Sequence, residues 1–353
     1  MPGMTPRQRV LAALRREEPD RVPRELSWGA FTPALMDTFR ERTGSQDPAE
    51  YWNFEVREVA FRYPDPSPWH LERVGPLPAG ATVDAFGVAS APGTSFHFVR
   101  YVHPLAAAAT LNEFLDYPLP DVRAPEYWGH LEPQIGALRS RGLAAVDDGW
   151  LTVFETTFAL RGLEQLLTDF LAHPDFADAL LERLTVLRCY QAGVYARAGL
   201  DVLRLGDDVA TQRSMMMRPA LWRRFLKPRL ARIIEAARAG KPDILIFYHS
   251  DGDCRAIVPE LIEVGVDILN PVQPECLDPA EMKRLYGDRL AFWGTVGTQT
   301  TFPFGTPEEV RAVVRERIRT VGRGGGLLLA PTHILEPEVP WENVEAFFQA
   351  IDE

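Results

Sequence analysis

Cysteine is scarce in this chain. Only Cys189, Cys254 and Cys276 occur among 353 residues, with no CxxC pair. An odd, sparse set excludes a disulfide framework and suits a reducing compartment, so the cytoplasm is expected. Long apolar runs are missing too. No stretch of about 18 apolar residues is present to cross a bilayer. The opening MPGMTPRQRVLAALRREEPDRVP lacks an apolar signal region, and its Val10, Leu11 and Leu14 suit an amphipathic helix instead. Positive charge is in deficit, with 38 Lys and Arg against 49 Asp and Glu, for a net charge of −11. That balance repels phosphate backbones and anionic lipid, so neither nucleic acid nor a membrane is an expected partner. A Gly-rich phosphate turn after a first strand is likewise absent. The run Gly322–Gly326 precedes a strand rather than opening a helix, which argues against a doubly wound open sheet.

What is present is a globular balance, 46% hydrophobic and 25% charged, and a rhythm. From about residue 143, short apolar runs alternate with amphipathic stretches. LAAV (143–146), LTVF (151–154), DVLRLGDD (201–208), ILIFYHSDG (244–252), DILNPVQ (267–273), RLAFWGTVG (289–297) and GLLLAPTH (326–333) read as strands. Helical patterns separate them. One runs from Gly162 to about Gly199; another is TPEEVRAVVRERIRTVG, with Thr306 as N-cap and Pro307 in the first turn. Strands alternating with helices imply parallel strands joined by right-handed crossovers. The expected fold is a single (β/α)8 TIM-type barrel spanning 1–353, with an N-terminal helical and β-hairpin extension. The first 140 residues read as irregular. Within them, 86–102 alternate apolar and polar residues around Pro92-Gly93, a hairpin expected to cover the bottom or side of the barrel.

Polar residues end the late strands, and barrel enzymes carry their chemistry at strand C-termini. VLRLG runs into Asp207-Asp208, and ILIFY into His249-Ser250-Asp251-Gly252. ILNPV reaches Gln273 with Cys276 beyond, LAFWG reaches Thr295 with Gln299 beyond, and LLLAP reaches Thr332-His333. Two adjacent carboxylates are costly to bury together, so one of Asp207 and Asp208 must be protonated, paired or turned to water or a cation. One capping and one functional Asp is an alternative, with Asp208 the inward one. His249 and His333 are the histidines at expected strand ends; they suit acid and base, or metal ligation. His249, Asp251, Cys276 and His333 together offer zinc an N, O and S donor set.

At these residues a resemblance emerges. TPRQRVLAALRREEPDRVP, HPLAAAATLNEFLDYPLPD (103–121), the stretch holding Phe154, Glu155, Arg161 and Gly162, HSDG…IVPELIEVGVDILNPVQP and GGGLLLAPTHILEPEVPWENV resemble the uroporphyrinogen decarboxylase superfamily. That superfamily is built on a (β/α)8 barrel and includes zinc-dependent corrinoid methyltransferases. Its decarboxylases carry an RQAGRY-like segment whose arginines hold substrate carboxylates. This chain has RELSWGAFTP (24–33) there, leaving Arg24 alone. Its methyltransferases carry His-x-Cys and a later Cys. Here His249 matches, Asp251 replaces the first Cys, and His333 replaces the second.

The strand ends and the resemblance together point to catalytic roles for Asp208, His249, Asp251 and His333, and to substrate contacts from Glu155, Asp207, Gln273, Thr295 and Gln299. A harder His/Asp/His set suits oxygen-linked methyl groups better than thiol activation. Three functions follow as expectations. One is methyl transfer between a small methylated substrate and a corrinoid protein, with zinc as cofactor. The second is decarboxylation of a tetrapyrrole or other polycarboxylate. The third is a non-catalytic member holding a tetrapyrrole or corrinoid for a partner.

Overall fold

The computed structural model describes residues 3–29, 31–77, 79–92, 99–149 and 151–353. The described residues form ten strands: β1 (Val56–Val59), β2 (Thr82–Val83), β3 (Ala89–Pro92), β4 (Val99–Val102), β5 (Ala144–Asp147), β6 (Val202–Gly206), β7 (Leu245–His249), β8 (Ile268–Asn270), β9 (Ala291–Val296) and β10 (Leu327–Pro331). Seven of them pair in parallel in the order β1-β5-β6-β7-β8-β9-β10. The eighth stave is the segment around Arg24. It bridges Leu329 in parallel, with Glu25 N–H donating to Leu329 O at 3.1 Å and Leu329 N–H donating to Pro23 O at 2.9 Å. On its other side the Arg24 N–H reaches the Glu55 carboxylate at 3.2 Å, next to β1. The fold is thus a TIM-type (β/α)8 barrel with a helical N-terminal region. No described helix is long and apolar enough to cross a membrane.

Alternation along the strands sorts the core into two layers. Val56, Val146, Val202, Phe247, Ile268, Trp293 and Leu328 point into the lumen, where Val10 and Leu14 from the helix Pro6–Leu14 close the bottom. The opposite faces, among them Leu203, Leu205, Ile246, Leu269, Phe292 and Leu329, pack under the surrounding helices in one large cluster.

The barrel starts earlier than the rhythm of the sequence suggests. Both the Arg24 stave and β1 lie within the first 140 residues. Their short runs carry Arg24, Glu25, Arg57 and Glu58, so they show no apolar alternation. They hold their places through partners distant in sequence. LTVF (151–154) is not a strand: residues 151–153 form a loop and the helix Phe154–Arg161 begins at once. The Asp207 carboxylate accepts the N–H groups of Val153 at 3.1 Å and Glu155 at 2.9 Å, which starts the helix there. The expected long helix after Gly162 divides into Leu163–Ala172 and Pro174–Arg197 at His173. Thr306 does cap Pro307–Thr320, in a reciprocal box with Glu309.

In the 82–102 region β2, β3 and β4 form an antiparallel sheet, with Ala89 opposite Val102. Pro92 ends β3, while Gly93 of the expected turn lies outside the described residues. From this sheet the chain runs on to the outer helices. The residues after it dock on the helix Phe154–Arg161, where His103 Nδ1–H donates to Ala159 O at 2.7 Å and Leu105 N–H to Leu160 O at 2.9 Å. That helix starts at the mouth, where Glu155 lies.

Candidate functional site at the barrel mouth

His249 ends β7, with its side chain on the lumen parity of Leu245 and Phe247. Its Nδ1 lies 2.6 Å from Asn270 Oδ1. The Asn270 amide is oriented by its own partner: Nδ2–H donates to Trp293 O at 2.8 Å, and a carbonyl can only accept. Oδ1 therefore faces His249 and requires a proton on Nδ1. In the neutral ring this leaves the Nε2 lone pair facing the acids. Nε2 lies 3.5 Å from Asp208 Oδ1 and 3.9 Å from Asp251 Oδ1.

Asp208 and Asp251 sit on two loops that lock together. The Asp251 N–H donates to Asp208 Oδ1 at 2.7 Å, and Val209 N–H to Ser250 Oγ at 3.3 Å. Gly252 makes this contact possible. With φ at +80°, it lets the turn pass so close that a Cβ would lie 2.4 Å from Thr211 O. Single ligand atoms of Asp208, His249 and Asp251 all lie within 4.8 Å of one another. Asp251 Oδ1 is buried with no hydrogen-bond partner. Such an orphaned acceptor fits a cation, since an unpaired buried polar atom otherwise costs about 1–3 kcal/mol.

Behind this trio stand two more acids. The Glu155 carboxylate accepts the Asp208 N–H at 3.0 Å. Burial, then the charges of Asp208 and Asp207, push its carboxyl up to about 8. Burial likewise raises Asp207 to about 7, against the N–H groups it caps. Asp251 rises to about 6, again chiefly through burial. For His249 burial acts to lower the pKa, but Asp208 and Asp251 outweigh it, so the imidazole is raised above its ordinary value. Of the two adjacent acids, then, Asp207 is the cap and Asp208 joins His249.

The other expected site residues divide. Gln273 is buried and its Oε1 accepts Gly252 N–H at 2.8 Å, which stiffens the His249 loop. Thr295 is buried at φ +79°, with its Oγ1 unpartnered. Gln299 accepts a hydrogen bond from Gln212 across the rim at 2.5 Å. Cys276 and His333, expected as metal ligands, fall outside the close group. Cys276 follows β8, its Sγ 3.9 Å from the same Gln273 Oε1. His333 is half-buried in the segment after β10, between Thr332 and the bridge at Leu335. Arg24 does not reach the mouth: its guanidinium turns to the outer layer and pairs with Asp352 at 2.5 Å.

Two residues of the mouth escaped the sequence reading. Asn270 was hidden because the apolar run continues to Gln273, although Pro271 marks where the ladder must stop. Trp28 gave no signal. Its ring meets His249 at a 5.5 Å centroid distance, and Arg204 lies against it at 4.9 Å. It sits where Gly149 leaves room, since a Cβ there would lie 2.5 Å from the indole.

The family model for uroporphyrinogen decarboxylase (URO-D) matches residues 154–353. A methylcobamide:CoM methyltransferase, MtaA, of Methanosarcina barkeri is 28% identical over 179 residues, 51% of this chain and 49% of the relative. A uroporphyrinogen decarboxylase of Coxiella burnetii is 25% identical over 181 residues, 50% of this chain and 47% of the relative. The chain spans about half the length of these curated relatives. Among solved structures, a methyltransferase from Methanosarcina mazei superposes with a TM-score of 0.67 at 21% identity, covering 99% of this chain and 98% of the other. That likeness concerns the fold.

Proposed function

This chain belongs to the uroporphyrinogen decarboxylase family, and we propose that within it the protein is a methyltransferase. It moves a methyl group between a small methylated substrate and a corrinoid protein. The observation carrying this reading is the orphaned Asp251 Oδ1 beside His249 Nε2, with Asp208 completing the group. One nitrogen and two carboxylates suit zinc or a similar divalent cation. Such a cation, when bound, supplies Lewis acidity to a substrate heteroatom. Asn270 holds His249 in the ligating tautomer. The Glu155 carboxyl, protonated at neutral pH, keeps a proton beside the cluster, suited to an oxygen that loses its methyl group. Glu155, Asp207, Gln273, Thr295 and Gln299 are proposed to line the substrate's approach, and His333 to shuttle protons from the rim.

Two features weigh against a polycarboxylate macrocycle. Arg24 is committed to Asp352, and Trp28 stands over His249. The test is metal analysis of protein prepared without chelators, alongside incubation with uroporphyrinogen. About one equivalent of divalent metal per chain, lost in His249→Ala, is expected. Turnover of uroporphyrinogen by metal-free protein would replace methyl transfer with decarboxylation.

A further inference from the structure

We infer that the rim beside this mouth holds a second binding site, for a small molecule with an oxyanion head group on an apolar body. The site is a groove of about 500 Å³. It is formed by the same two loops that carry Asp208 and Asp251, a few residues further on. The first loop folds back as a tight hairpin: Thr211 N–H donates to Ser214 O at 2.8 Å and Met216 N–H to Val209 O at 2.8 Å. The second is zipped to it, with Asp253 N–H donating to Thr211 O at 2.8 Å. Met215 and Met216 give the groove an adaptable apolar wall.

Its charge is opposite to that of the molecule. Arg213, Arg218 and Arg255 line it against the single acid Asp253, in a chain of net charge −11. Arg255 is held in place by Asp253 at 2.8 Å and Cys276 O at 2.8 Å. Arg213 and Arg218 are exposed and make no ion pair among the described residues. Guanidinium groups match carboxylate and phosphate geometry in a fork. The volume falls in the range of small-ligand sites, about 300–1,000 Å³. A partner of this chemistry satisfies both the cations and the methionine wall. The groove's position makes it the anchor for the distal, anionic end of a ligand that reaches the mouth. This anchoring role rests on the proposed mouth site, whereas binding in the groove does not.

The experiment titrates the full chain with 1-naphthyl phosphate, 1-naphthaleneacetate and neutral 1-naphthalenemethanol by calorimetry at low salt. Both anions should bind with a stoichiometry of one, at least about tenfold more tightly than the neutral probe. The double variant Arg213→Glu/Arg218→Glu should lose at least about tenfold in anion affinity, and added salt should weaken wild-type binding. Preference between the phosphate and the carboxylate then identifies the head group. Asp251→Asn should leave probe binding unchanged, so loss of the proposed metal site is separable from loss of the groove. Failure of both anions to bind, equal affinity for the neutral probe, or undiminished binding in the double variant would overturn the assignment. Both arginines are exposed, and circular dichroism of the double variant checks that it is folded.

Discussion

The two ends of the barrel treat buried carboxylates in opposite ways. At the bottom each is met by arginine. Asp201 takes Arg7 through two hydrogen bonds of 2.7 and 3.0 Å. Glu55 lies 2.6 Å from Arg21 and 3.4 Å from Arg9, which also holds the exposed Asp20 at 2.5 Å. At the mouth, Glu155, Asp207, Asp208 and Asp251 have no lysine or arginine within 4.0 Å among the described residues; the basic group nearest Asp208 and Asp251 is His249, with Nε2 at 3.5 and 3.9 Å. Burial raises Glu55 as well, so desolvation acts at both ends. The difference lies in who answers it. Arginine pairs with the acids of the bottom, whereas the acids of the mouth are left able to take up a proton or a cation. The bottom is therefore the stability end, and the mouth the end open to chemistry.

The sharpest way to break this contrast is His249→Ala. It should lower activity by at least about 100-fold, or 2.7 kcal/mol of barrier, and abolish metal retention. Its melting temperature in metal-free buffer should stay within about half a degree of wild type, since 1 kcal/mol moves a domain of this size by only about 1–2 °C. A large fall in melting temperature with metal retained would make His249 a packing residue.

The bottom should behave in the reverse sense. Arg7→Met strands Asp201, which is 1% exposed. The expected loss is about 2 kcal/mol, below the ~3–5 kcal/mol of a fully buried pair. The discount reflects an Arg7 side chain 28% exposed and Arg139 still 3.9 Å from Asp201. Denaturant unfolding measures it, and metal content should be unchanged.

Asn270→Leu tests the support of His249 from behind. Without the Oδ1 acceptor the ring is free to turn, and metal affinity should fall by about tenfold. Unchanged affinity would mean that Asn270 serves only Trp293 O.

Acidity gives a smaller effect. A carboxyl raised in the folded state stabilises the fold fully below its ordinary unfolded pKa. That contribution is lost as pH rises through the folded value, about 7 for Asp207 and about 8 for Glu155. Metal-free protein should therefore lose stability from pH 5 towards 8.5. Glu25 at about 8 and Asp147 at about 7 act in the same direction. The mouth's share is thus read as the difference between wild type and Glu155→Gln, whose decline should be shallower. Equal slopes would remove Glu155 from the titrating set.

The smallest effect belongs to Cys276→Ser. Metal content should not change, because Cys276 lies outside the close group. Loss of metal in this variant would return sulfur to the ligand set.

The later staves were legible because each is an apolar run of about five residues bounded by Gly, Pro or charge, and a strand buried on both faces reads that way. The Arg24 stave and β1 were illegible because paired charges, rather than apolar alternation, hold them. LTVF misled for a related reason: its burial is real, but Asp207, more than 50 positions away, decides that helix begins there. At the site, His249, Asp208 and Asp251 stood out as polar residues ending apolar strands. Trp28 had no such mark.

Local pattern in the sequence set the barrel's rhythm, the Thr306 cap and the set of polar strand ends, since propensity and burial act over a few residues. Only the tertiary structure decided which of those ends meet. It joined Asp208 to His249 and Asp251, turned Asp207 into a cap, set Cys276 and His333 apart, and brought Trp28 and Asn270 to the imidazole. The physical reason is that ligation and proton transfer depend on separations of a few ångström between side chains tens to hundreds of residues apart. Barrel closure and loop packing set those separations, and no local pattern encodes them.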